Sequence, residues 1–90
     1  MGDVLTSLYD RASDVLYIVT DQNAFSTGAE GDPGLIWRHA EGSGALVGLT
    51  VIDFDAYWRE RMDALVGQVS SRFRVSFNAA RSLMPAPPDA

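Results

Sequence analysis

At 90 residues, 47% hydrophobic and with a formal net charge of −5, the chain has the size and composition of one globular domain. It contains no cysteine, which excludes a disulfide framework, thiolate metal sites and cysteine nucleophiles, and favours the cytoplasm. Its seven basic residues are all arginine, and the acidic balance argues against nucleic acid as the main partner, because phosphate binding needs a dense basic surface.

The opening residues MGDVLTSLYD carry neither the basic nor the apolar region of a signal peptide, and no apolar run approaches the ~20 residues of a membrane span. MGDVLT fits a myristoylation pattern only superficially and is read as an ordinary Met-Gly start. Residues 4–9 alternate as a strand. Asp10-Arg11-Ala12-Ser13 reads as a hairpin turn, with the Asp10 side chain free to accept from the backbone two residues on. The run 14–20 is a second strand, rich in β-branched and aromatic residues. DQNAFSTGAEGDP, residues 21–33, reads as a long loop that either functions, is poorly ordered or hides a short strand around Phe25. Residues 34–39 and 45–52 are the next strands, joined by the glycine-rich turn AEGSG.

Asp53 reads as the N-cap of a helix over 54–70, with Ile52 and Tyr57 placed as a hydrophobic staple. Phe54, Trp58, Met62, Leu65, Val66 and Val69 form its apolar stripe. Residues 72–84 are ambiguous. RFRVSFN alternates like a strand, which favours a fifth strand at 72–77, yet Val69, Phe73, Phe77, Ala80 and Met84 also continue the helical period. PAPPDA, residues 85–90, reads as a disordered tail after a single domain of residues 1–84. The expected fold is α+β: an antiparallel β-meander of four or five strands with an amphipathic helix on one face.

Two motifs carry a resemblance. YDRASDVLYIVT contributes Tyr9, Asp10, Asp14, Leu16, Tyr17 and Ile18, and ALVGLTVID contributes Val47, Gly48, Leu49, Val51, Ile52 and Asp53. Together, over about residues 7–54, they resemble the small bacterial proteins grouped as domain of unknown function 2283. Arg11 stands where those chains often have proline, and Thr50 where they have glutamate. The resemblance implies a compact sheet followed by a helix, no established activity, and antitoxin-type or other partner-binding work.

Chemistry finds little purchase. His39 is the single histidine, beside Glu41, and one histidine with scattered carboxylates makes a weak metal site. Ser43 lies near His39 without a third orienting group. Asp53 and Asp55 are explained by helix capping, and Asp10 and Asp14 by the turn. GSG lacks the spacing and lysine of a phosphate loop. The expectation is a protein that is not an enzyme and has no cofactor or metal. It reads as a protein–protein interaction module, pairing with itself as a homodimer or with a small basic protein as an antitoxin-like partner. The candidate contact residues are Arg72, Phe73, Arg74, Phe77 and Arg81, a run of cations and aromatics without an acid. The alternatives are a small-ligand or nucleic-acid binder using those arginines and, last, an enzyme dependent on His39.

A second expectation concerns the sheet. Val15, Tyr17 and Val19 point to one side and Leu16 and Ile18 to the other, and residues 46–52 divide in the same way. Strands with one wet face alternate apolar and polar, and these do not. Something beyond the single helix has to cover the second face: the 72–84 segment, the long loop or another chain.

Overall fold

The computed structural model describes residues 4–20 and 25–87. Five strands, β1 (Leu5–Asp10), β2 (Val15–Thr20), β3 (Ser26–Glu30), β4 (Leu35–Ala40) and β5 (Leu46–Ile52), form one antiparallel sheet in the order β1-β2-β5-β4-β3. The fold is α+β, and the sheet has the fifth strand that the expectation of four or five left open. The order departs from a plain meander: β3-β4-β5 is a meander, and the β1-β2 hairpin adds to its β5 side. The physical reason is burial. Every residue from Val47 to Val51 is buried, and a strand that apolar needs a neighbour on each side. Meander order would have left it at an edge, with its backbone N–H and C=O groups unpaired.

The fifth strand is not residues 72–77. It is β3, inside the segment 21–33 read as a long loop, where it answers to the alternative of a short strand hidden around Phe25, and four of its five residues are exposed. Residues 21–24 of that segment lie outside the described residues, as do residues 1–3 and 88–90, where the myristoylation pattern begins and the tail ends.

After Ile52 the chain makes one π-helical turn, Phe54–Trp58, and a short 3₁₀ turn, Arg59–Arg61. Helix α1 (Met62–Phe73) follows, then α2 (Phe77–Arg81). The helical reading of Phe73 and Phe77 thus wins over the strand reading. The inner face of the sheet is wider than one short helix covers, and the extra turns complete the cover. Between the helices, Arg74 takes a left-handed φ of 59° and its N–H bonds to the Ser70 carbonyl. The Ser70 hydroxyl donates to the Val75 carbonyl at 2.6 Å. Ser76 then caps α2, accepting from the Ala79 N–H at 3.1 Å.

The core lies between the sheet and this helical layer. Leu16 and Ile18 from β2, Leu35 and Trp37 from β4, and Leu49 and Val51 from β5 meet Phe54, Trp58, Leu65, Val66, Val69 and Ala80. Side chains of this kind contribute about 1.5–3 kcal/mol each when fully buried. The C-terminal end is tied to the same layer. The Ser7 hydroxyl donates to the Leu83 carbonyl at 2.7 Å, and Arg59 donates to the Pro85 and Ala86 carbonyls at 2.6 and 3.3 Å, inside the segment expected to be a tail. Among the described residues no helix is long and apolar enough to cross a membrane.

Candidate functional site

Asp14 does work that the sequence gives to Asp53. Asp53 is left-handed, with φ 59°, and its side chain makes no capping hydrogen bond. Asp14 sits in the β1–β2 turn, also left-handed, and reaches across to the start of the helical segment. Its backbone carbonyl accepts from Phe54 N–H at 3.1 Å. Its Oδ1 accepts from Asp55 N–H at 2.7 Å, and its Oδ2 from Ala56 N–H at 3.1 Å. One residue therefore satisfies three successive backbone donors that a helix start leaves free.

The Tyr9 hydroxyl donates to the same Oδ1 at 2.6 Å. Burial pushes the Tyr9 phenol up to about 12, and the hydrogen bond and charge of Asp14 add to it. Burial alone would raise the Asp14 carboxyl. The bonds from Tyr9 and from the Asp55 and Ala56 N–H groups, with Arg59 nearby, outweigh burial and hold it below its usual range. The Tyr9 ring meets Phe54 edge-on at 5.5 Å, and Arg59 lies over the other aromatic surface of the cluster, 4.7 Å from the Phe54 centroid. This cluster is a structural joint: every polar group in it already has a protein partner.

The five candidate contact residues are also largely spoken for. Arg72 stacks over Trp37 at 4.5 Å, and Phe73 packs against the same ring at 6.2 Å. Arg74 forms the left-handed turn after α1. Arg81 bonds Asp63 at 2.7 Å and lies 5.4 Å from the Phe77 centroid. Of the two phenylalanines, Phe73 is half-buried and Phe77 stays exposed. The structure brings these residues together on the helical side, where Phe73 packs against the core.

His39 lies in β4 opposite Thr27, beside an irregularity in the pairing of β4 with β5. Ser43 accepts a bond from Ala45 N–H at 3.2 Å inside its turn. Among the described residues, no group of three His, Asp or Glu side chains is placed to hold a metal ion. A cleft of about 140 Å³ is lined by Pro33, Gly34, Ile52, Asp53, Tyr57 and Trp58. It is smaller than the ~300–1,000 Å³ of ordinary ligand pockets.

What remains is the second face of the sheet. Both helices lie on the first. Cross-strand register assigns the outer face in three rows: Asp10–Val15–Ile52, then Leu8–Tyr17–Thr50–Ile36–Glu30, then Thr6–Val19–Gly48–Arg38–Gly28. A Cβ added at Gly48 would lie 3.7 Å from both Val19 and Arg38 side chains, and one at Gly28 would lie 2.9 Å from Ile36, which confirms that these residues share a face. Leu8 is 70% exposed, Val19 46% and Tyr17 40%. Thr50, on the same face, is only 8% exposed. Gly48 and Thr50 of the central strand β5 thus form a trough between β1 and β2 side chains on one side and Ile36 and Arg38 on the other, while Ile52 at the strand end is exposed. The sequence signalled this surface through the doubly apolar strands at 15–20 and 46–52.

Comparison of the chain with protein-family models, curated proteins and solved structures returned no match.

Proposed function

We propose that the protein is a non-catalytic interaction module of the cytoplasm whose working surface is the outer face of its sheet. The observation that supports this most directly is that Leu8, Tyr17, Val19 and Ile52 stand exposed on one contiguous sheet face while both helices cover the other. Monomeric proteins seldom leave such a patch to water unless it meets a partner. The likeness of the two motifs to the domain of unknown function 2283 proteins, whose implied work is partner binding, supports the same reading.

The binder of nucleic acid or small ligands draws less support. Two of the three arginines that reading relies on are engaged, Arg72 over Trp37 and Arg81 with Asp63.

The test is assembly in the native cell. Tagged protein taken gently from its own cells is expected to sediment well above its 9.8 kDa monomer mass. The doubly charged variant Tyr17→Glu/Val19→Glu, with an unchanged circular dichroism spectrum, is expected to run alone. Wild-type protein that runs as a free monomer overturns the proposal.

A further inference from the structure

Resting on that reading of the outer face, we infer that its occupant is a second copy of this chain, stacked sheet on sheet about a two-fold axis that runs between β2 and β5 along the strands. Such an axis sets β2 of each copy over β5 of the other, and β1 over β4. Because position along the strands is kept, the rows stay in register. Val19 then lies over the partner's Gly48, Tyr17 over the partner's Thr50, Val15 over the partner's Ile52 and Leu8 over the partner's Ile36. Leu8 meets the partner's Ile36 side chain on side chain, while along the centre Val19 and Tyr17 meet the partner's Gly48 and the partner's Thr50, the recessed positions of the trough. That is the large-against-small alternation that interdigitated sheets ~10 Å apart require. It is also self-complementary, as a two-fold interface must be.

Charge points the same way. Two copies carrying −5 each repel unless they meet where charge is low. On the outer rows of β1, β2, β5 and β4 the described residues include one acid, Asp10, and one base, Arg38, so the stacked surface is formally neutral. A basic partner would find almost no acid there. The Arg38 side chain makes no hydrogen bond or ion pair among the described residues, and the two-fold places it over the partner's Thr6, whose hydroxyl accepts.

Size sets the strength. Four strands ~4.8 Å apart and about 20 Å long give a footprint of roughly 400 Å² per copy. Counted over both copies this is about 800 Å², below the ~1,200 Å² at which standard-size interfaces begin. The dimer is therefore a weak one.

Sedimentation of the purified chain at roughly 100 μM tests this at the concentration such an interface needs. The expected mass is twice 9.8 kDa. Val19→Glu sets a carboxylate against the partner's Gly48 and is expected to weaken the dimer about tenfold or more. Val19→Ser, which spares the fold if the glutamate does not, weakens it less. Phe77→Glu, on the helical side, leaves it intact. A monomeric wild type overturns the inference, as does a dimer that survives both Val19 variants or is lost with Phe77→Glu. A chain that is monomeric alone, yet leaves its native cells bound through Tyr17 and Val19 to a different protein, overturns the second copy but keeps the interaction surface. A chain that is monomeric in both settings overturns both.

Discussion

The Tyr9 hydroxyl donates to Asp14 Oδ1 at 2.6 Å, and that same oxygen accepts the Asp55 N–H 41 residues further along the chain. The first hairpin is therefore bolted to the start of the helical layer by one carboxylate. Asp14→Ala leaves two backbone N–H groups and a phenol without their acceptor. Bonds to a charged acceptor contribute about 1.5–3 kcal/mol, and a lost cap about 0.5–2. Urea unfolding is expected to show a loss of about 2–4 kcal/mol for Asp14→Ala. Asp53→Gly is expected to be neutral or mildly stabilising, because the Asp53 side chain caps nothing and its left-handed φ suits glycine.

The same pair fixes a pH dependence. Folding lowers the Asp14 carboxyl, so its contribution is complete above the unfolded value of about 3.9 and fades as pH falls through the folded one. Folding raises the Tyr9 phenol from 10.0 to about 12. That contribution is complete below pH 10 and is lost as pH rises towards 12. Stability is expected to fall at both ends and to be flat between them as far as this pair is concerned. In Tyr9→Phe the alkaline loss disappears, and the acid loss moves to higher pH because Asp14 has lost a donor. Spectrophotometric titration gives a second measure: a phenol ionising at about 12 in the wild type is expected to vanish in Tyr9→Phe.

Gly34 offers a test of crowding against backbone strain. Its φ is +87°, and an added Cβ would sit 3.1 Å from the Ile52 carbonyl oxygen and 3.3 Å from Trp58 Nε1. Gly42 has a similar φ of +91° with nothing within 4 Å. Both Gly→Ala changes incur the left-handed cost of about 1–2 kcal/mol. Only Gly34→Ala must also move backbone or a buried indole, and it is expected to lose about 1–2 kcal/mol more than Gly42→Ala in chemical denaturation.

Much of the sheet was legible in the sequence because its strands carry their own signals. Val15–Thr20 and Leu46–Ile52 are β-branched runs between turn residues, and their double-sided apolarity revealed a second face in need of cover. Ser26–Glu30 carries no such signal. STGAE is small and mostly exposed, and it is a strand because β4 offers it an edge. The capping role of Asp14 was equally invisible, since its partners are 41 and 42 residues away and a turn explained it locally. At 72–77 the helical and strand periods coincide, and local pattern could not choose between them. The choice belonged to the packing around the buried Trp37, against which Arg72 and Phe73 come to lie from the end of α1.

That last contact separates two phenylalanines that look alike in RFRVSFN. Phe73 is half-buried against Trp37 and the core, whereas Phe77 is 43% exposed and touches mainly Arg81. Truncation of a core-packed aromatic costs about 3–5 kcal/mol, less where burial is partial. Surface changes usually stay within ±0.5 kcal/mol. Phe73→Ala is therefore expected to cost about 2–3 kcal/mol and Phe77→Ala under about 1. Phe73→Ala also strips one neighbour from an indole whose Nε1 has no hydrogen-bond partner, so the tryptophan emission of the folded protein is expected to shift to longer wavelength. Phe77→Ala should leave it in place. Equal costs for the two, with no spectral difference, would mean that the segment does not close the core over Trp37, and would return Arg72 and Phe73 to the candidates for partner contact.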